Sequence, residues 1–194
     1  ARLADRGLAL CCGLELEFHI YRLLDARLDP AQADWPGPAP EVAMIHPGYH
    51  LLADDWMDRA EEPLLIVQRT AQALGLPLTS LEIELGPSQV EAVFAAQDAL
   101  VAADAMVLFR HATRQALRRA GYHATFMCRP PFAHIMSSGW HLHQSLVDAT
   151  TGANLLRRAT PAPGSTPADA QHTLSALGEH YLAGLLDHAR GMAV

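Results

Sequence analysis

The sequence contains no lysine; all 14 of its basic residues are arginine. That absence excludes a P-loop lysine, a Schiff-base lysine and a pyridoxal-phosphate lysine within this chain. Cysteine is scarce too: Cys11, Cys12 and Cys128 make an odd number with no C-x-x-C spacing. The expectation is a reducing compartment with the cysteines as small core residues. No apolar run reaches the length of a membrane span, and Ala1 opens no signal peptide, so a cytoplasmic protein is expected. Positive charge is short as well. The formal net charge of -7 argues against nucleic acid or an anionic membrane as partner, because neither is drawn to an acidic surface. What is present, 50% hydrophobic and 18% charged residues, is ordinary globular composition with enough apolar material for one core. No internal repeat and no linker divides the 194 residues, and a single domain is expected.

Three stretches share one design. In Gly13 to Tyr21, Leu14, Leu16, Phe18 and Ile20 alternate with Glu15, Glu17 and His19, a period of two that sends aliphatic and acidic side chains to opposite faces of a strand. Ser80 to Gln97 reads as a hairpin reversed at Gly86-Pro87-Ser88. Leu81, Ile83 and Leu85 alternate with Glu82 and Glu84 on the approach, and Gln89, Glu91 and Val93 share a face on the return. The hairpin therefore brings Glu84 and Glu91 to one side of a sheet. In Trp140 to Val147, Trp140, Leu142 and Leu146 line one face while His141, His143 and Ser145 line the other.

The rest of the chain supports these strands. Asp29 to Pro47 holds five prolines and reads as a long loop, with Trp35 as a residue to pack or to cover a pocket. A helical period runs from His50 through Leu51, Leu52, Trp56 and Met57, resumes after Pro63, and stops at Gly75. Asp98 to Ala120 predicts a helix whose apolar face is Leu100, Ala103, Val107, Leu108, His111, Leu117 and Ala120. Arg110, Arg114, Arg118 and Arg119 crowd its end, where cations complement the helix dipole. Tyr122 to Cys128 reads as a strand and Thr150 to Ala170 as an exposed excursion. Ala170 to Arg190 reads as a helix with Leu174, Leu177, Tyr181, Leu182, Leu185 and Leu186 on one side.

Acidic residues are mostly exposed, and a lone E-x-E is ordinarily solvated. Glu15, Glu17, Glu84 and Glu91 on equivalent faces are another matter, since converging carboxylates stay ionised only beside a cation. Oxygen-rich ligation favours Mg²⁺ or Mn²⁺, and one imidazole, His141, tilts toward Mn²⁺. His141-x-His143 with one carboxylate also fits an Fe(II) oxygenase, and that reading stays open, although the carboxylates outnumber the histidines.

Four motifs carry a family resemblance: Gly13-Leu-Glu15-Leu-Glu17-Phe18, Glu84-Leu-Gly86-Pro87-Ser88-Gln89-Val-Glu91, Ala124-Thr125-Phe126-Met127-Cys-Arg129-Pro130, and Ser138-Gly139-Trp-His141-Leu-His143-Gln-Ser145-Leu146. In order and spacing they resemble the catalytic domain of the glutamine synthetase family. The resemblance implies an α+β fold, an antiparallel sheet curved into part of a barrel and backed by helices. It implies ATP-dependent joining of a small-molecule carboxylate to an amine through an acyl phosphate, with two Mg²⁺ or Mn²⁺ ions. Glu17, Glu84 and Glu91 resemble ligands of the ion near the amino-acid substrate, and Glu15 and His141 ligands of the ion at the ATP phosphates. His143 and Ser145 resemble nucleotide contacts, and Ser137 and Gly139 lie in the loop beside the substrate. The family also has a preceding β-domain, a further C-terminal carboxylate and C-terminal arginines, and forms rings of identical subunits. By this resemblance, residues 1–194 are expected to be the middle of a longer, oligomeric enzyme. Where the family carries Asn-Gly, this chain has Met136-Ser137, which points to an amine other than ammonia or to a different acid. A non-catalytic homologue with a regulatory role is the alternative.

Overall fold

The alternating stretch Gly13 to Tyr21 lies within a longer strand, β1, Leu8–Leu23, which also takes in the apolar run Leu8 to Cys12 and is the longest strand among the described residues. The structure is a computed structural model that describes residues 2–25, 29–158 and 173–192. The further elements are β2 (Val42–Met44), α1 (Asp54–Ala73), β3 (Leu78–Ile83), β4 (Gln89–Asp98), α2 (Ala99–Arg119), β5 (Tyr122–Thr125), β6 (Trp140–Asp148), α3 (Ala176–Asp187) and α4 (Ala189–Met192). The six strands form one sheet in the order β2-β1-β4-β3, with β5 and β6 also pairing with β1. The pairs β1–β2, β1–β5 and β3–β4 are antiparallel. This is the α+β antiparallel architecture that the sequence implies. The chain divides into two compact units, Gly13–Leu142 and Ala1–Cys12 with His143–Val194, and β1 and β6 contribute residues to both.

In the unit Gly13–Leu142, the apolar faces of the strands meet α1 and α2. Leu16, Phe18 and Ile20 of β1, Ile83 of β3, and Val90, Ala92 and Phe94 of β4 share one core with Leu64 and Val67 of α1 and Met106, Phe109 and Leu117 of α2. Phe109 sits edge-on to Phe18 at 6.0 Å and to Phe94 at 5.0 Å, and Phe18 stacks on Phe126 at 4.9 Å. Buried aromatic rings in such arrangements add to the stability that their area alone supplies.

Several sequence-based faces need correction. The face of α2 is turned: it buries Ala102, Ala105, Met106, Phe109, Thr113 and Leu117, while Leu100, Val107 and Leu108 are 77%, 69% and 49% exposed. Both sets recur at three and four, and the small Ala102 and Ala105 let the helix approach the sheet closely enough to insert Phe109. Helix α1 starts at Asp54, leaving Leu51 and Leu52 exposed before it, and runs through Pro63. Proline removes one helix hydrogen bond, and burial of Ala60, Pro63, Leu64 and Val67 along that side offsets the loss. Helix α1 ends at two bonds, from Gly75 N–H to Gln72 O and from Leu76 N–H to Ala71 O, the pattern of a Schellman closure. Trp140 and Leu142 are exposed rather than buried, and the Arg110 guanidinium lies over the Trp140 ring at 5.3 Å, giving it a surface partner. Leu85 is exposed as well, Trp35 is 95% exposed, and Cys128 lies at the surface, unlike buried Cys12.

In the second unit, Leu146 and Leu156 are buried, and the isolated bridges Val147–Asn154 and Arg157–Leu174 tie the described segments together. Ser175 caps α3 by accepting from Gly178 N–H at 3.0 Å. Leu177, Leu182 and Leu186 are exposed while Leu174, Tyr181 and Leu185 are half-buried, so the apolar side expected of this helix is only partly covered within the described residues. Residues 159–172, which take in most of the expected excursion and the start of the expected helix, lie outside the described residues.

Candidate metal centre

The site is built at the point where β1 and the β3–β4 hairpin meet. Strand β3 ends at Ile83, so Glu84 stands just past it, held by its N–H donating to Gln89 O at 3.0 Å. Within the hairpin, Glu82 is directly opposite Glu91. Ser88 makes the reversal with φ 59, an unusual conformation for a residue with a side chain. It is fixed there because its N–H donates to His46 O at 3.1 Å, its hydroxyl accepts from Ile45 N–H at 2.9 Å, and its carbonyl accepts from Ile20 N–H at 2.9 Å. Gly48 lies against the same turn with φ +74, and a Cβ there would meet Pro87 N at 2.4 Å, so only glycine fits.

Two groups of ligand-type atoms result, each with its atoms within 4.8 Å of one another: Glu15, Glu91 and His141, and Glu17, Glu84 and Glu91. Glu91 belongs to both. His141 Nδ1 lies 3.0 Å from Glu15 Oε2 and 3.7 Å from Glu91 Oε1, and His141 Nε2 lies 3.8 Å from Glu17 Oε1. Like charges about 4 Å apart cost about 4 kcal/mol at the effective dielectric near a protein surface. Burial, then the neighbouring carboxylates, pushes Glu91 up to about 7. Glu84 is raised mainly by burial as well. His141 is raised, first by its hydrogen bond to Glu15 and further by the charges of Glu17, Glu15 and Glu91. Glu91 Oε1 is buried with no hydrogen-bond partner. A carboxylate-rich set with one imidazole, an orphaned buried oxygen and crowded negative charge fits hard divalent cations. Neither group contains a second histidine among the described residues.

The loop before β6 closes one side. Gly139 N–H donates to Glu17 Oε2 at 2.8 Å, and a Cβ on Gly139 would meet His141 Nε2 at 2.8 Å, so a larger residue here would displace the imidazole. Ser137 contributes its carbonyl, which accepts from Gln89 Nε2 at 3.1 Å. Met136 packs directly on Gly86. His143 and Ser145 belong to the second unit, where Ser145 Oγ accepts from Asn154 Nδ2 at 3.2 Å.

Four residues not among the sequence-based candidates stand at the base of the site: Gln89, Ser138, His19 and His46, all buried. Gln89 and His19 share the polar faces of their strands with the glutamates, and that position was the available signal. His46, in the proline-rich loop, offered none. Burial, and next the nearby His46, lowers His19 to about 4. The arginines at the end of α2 lie elsewhere: Arg114, Arg118 and Arg119 line a cleft of about 900 Å³ with Pro38 to Glu41.

Comparison with known proteins follows the same lines. The family model described as "Glutamine synthetase, catalytic domain" matches residues 1–194. The gamma-glutamylanilide synthase of an Acinetobacter species is 39% identical over 188 residues, which is 95% of this chain and 36% of the relative. The glutamate–methylamine ligase of Methyloversatilis universalis is 26% identical over 192 residues, covering 99% of this chain and 39% of the relative. The cryo-electron-microscopy structure of Plasmodium falciparum glutamine synthetase superposes with a TM-score of 0.74 over 97% of this chain and 38% of that one, at 19% identity, a likeness of fold. The chain thus spans little more than a third of the length of these relatives. On the match to its whole length, the chain belongs to the glutamine synthetase family, as part of the catalytic domain.

Proposed function

We propose that the full-length protein is an ATP-dependent carboxylate–amine ligase that joins its acid to an amine other than ammonia. The observation that carries this reading is the pair of carboxylate groups sharing Glu91. Glu17, Glu84 and Glu91 would hold one Mg²⁺ or Mn²⁺ ion, and Glu15 with His141 a second, with Glu91 within reach of both. Divalent ions so bound supply charge neutralisation for a transferring phosphoryl group. The γ-phosphoryl of ATP passes to a carboxylate oxygen of the acid, releasing ADP. The amine nitrogen then attacks the acyl carbon, phosphate leaves, and the nitrogen loses a proton to give the amide. His143 and Ser145 are assigned to the nucleotide, and Ser137 and Gly139 to the acid substrate. The protein is proposed to act in the cytoplasm as an assembly of identical subunits. Among the described residues no helix is long and apolar enough to cross a membrane.

The choice of amine rests on Met136. Its side chain lacks the amide group of the asparagine that the family resemblance leads one to expect, and it is 37% exposed while packing on Gly86 beside Gln89. A flexible thioether offers apolar surface to an alkyl or aryl amine and no hydrogen bonds to a small polar one. Two of the relatives carry names of that kind, an anilide synthase and a methylamine ligase. The test is ATP-dependent phosphate release by the full-length protein with glutamate and ammonia, alkylamines, diamines or aniline. An organic amine is expected to exceed ammonia in kcat/KM by about tenfold, the range that apolar contacts supply. Ammonia leading by a wide margin would contradict the amine assignment, and no phosphate release with any pair would contradict the ligase reading.

A further inference from the structure

We propose that Gln89 is a positioning residue that joins the Glu17 carboxylate and the Ser137–Gly139 backbone into one unit, so that divalent-ion binding and acid-substrate binding strengthen each other. The inference rests on the reading that Glu17 holds an ion and that residues 137–139 meet the substrate. Gln89 is 2% exposed. Its Nε2 donates toward Glu17 Oε2 at 2.9 Å, Ser137 O at 3.1 Å and Ser138 Oγ at 3.2 Å, and its Oε1 accepts from Gly86 N–H at 2.9 Å. A carboxylate and a carbonyl only accept, and a backbone N–H only donates, so the partners dictate which way the amide points.

The main chain of Gln89 is held equally firmly. Its carbonyl accepts from Glu84 N–H at 3.0 Å and from His46 Nε2 at 3.0 Å. The side chain therefore projects from a fixed base. Glu17 Oε2, occupied by Gln89 Nε2 and by Gly139 N–H at 2.8 Å, is committed to the protein, and Oε1 is the oxygen turned toward His141 Nε2. Hydrogen bonds of this kind orient ligand carboxylates, and their removal commonly weakens metal binding 10- to 100-fold. Here the same amide also holds the loop, so whatever orders Glu17 orders residues 137–139. By linkage the effect runs equally in both directions. The two side chains of matching length fail: methionine lacks the hydrogen bonds, and glutamate would set a carboxylate against the carboxylate of Glu17.

The experiment is Mn²⁺ titration of the full-length protein by calorimetry, with and without free L-glutamate. In the parent, glutamate is expected to tighten Mn²⁺ binding about fivefold or more. Gln89→Met should weaken Mn²⁺ binding about 10- to 100-fold and reduce the tightening to what the direct Gly139 N–H bond to Glu17 carries. Gln89→Asn, which keeps the amide but falls one methylene short, should lose part of the tightening with a smaller loss of affinity. Melting curves without metal establish that each variant is folded. Folded variants that bind Mn²⁺ and respond to glutamate as the parent does would overturn this inference while leaving the metal centre intact. So would a parent that binds Mn²⁺ without any response to glutamate, or loss of the fold in both variants, which would make Gln89 a purely structural residue. A parent that binds no Mn²⁺ would overturn the metal reading and this inference together.

Discussion

A buried histidine with an unpaired ring nitrogen reports its surroundings through pH. His46 is 1% exposed; its Nε2 donates to the carbonyl of Gln89, and its Nδ1 has no partner. Burial lowers its pKa below 6.5, and the adjoining His19, depressed to about 4, behaves alike. The unfolded chain takes up a proton near 6.5 where the folded chain does not, so stability falls as pH drops below that value. Glu84 and Glu91, raised by burial, act in the opposite sense, so the comparison must be between proteins that share them. In urea denaturation of the metal-free protein, the parent midpoint should fall relative to that of His46→Gln as pH is lowered from 7 toward 5. Parallel profiles for the two proteins would rule this out. Single residues were unevenly legible in the sequence. Glu15, Glu17 and Glu91 could be placed because strand period assigns a face, and Glu84 because it stands one residue past a strand of that period. His46 could not, because what buries it is a long-range exchange with Ser88, whose N–H donates to the His46 carbonyl.

Elements were legible where one face is polar and ambiguous where both are apolar. The β1 strand and the β3–β4 hairpin carry carboxylates on one side and aliphatic residues on the other, and the structure places Leu16, Phe18, Ile20, Ile83 and Val90 in the core accordingly. Helix α2 is rich in alanine, leucine and valine nearly all round, so periodicity alone allowed two faces. Closeness of packing chose the one with Phe109. Phe109→Ala should therefore cost about 3–5 kcal/mol, the range for a large buried ring. Leu100→Ser, on the face first expected to be buried, should change stability by no more than about 0.5 kcal/mol. Chemical denaturation of the two variants decides between the faces, and a Leu100→Ser cost equal to that of Phe109→Ala would restore the sequence-based one. In α3 the described residues half-bury Leu185 and leave Leu177, Leu182 and Leu186 exposed.

At the scale of the molecule, four short motifs in order carried the family, because each lies on a backbone feature that chemistry constrains: the E-x-E strand, the turn between Glu84 and Glu91, the strand before Arg129, and the glycine before His141. The division into two compact units was not legible, since β1 and β6 pass through both without a break in composition. The central claim is that the two carboxylate groups hold two divalent ions and that Glu91 serves both. Its most direct test is electron paramagnetic resonance of Mn²⁺ bound to the full-length protein. The account predicts two ions per chain, both weakened by Glu91→Gln, with His141→Asn weakening one of them about 10-fold or more and sparing the other. Binding of a single ion, or Glu91→Gln affecting one site and leaving the second at parental affinity, would contradict it.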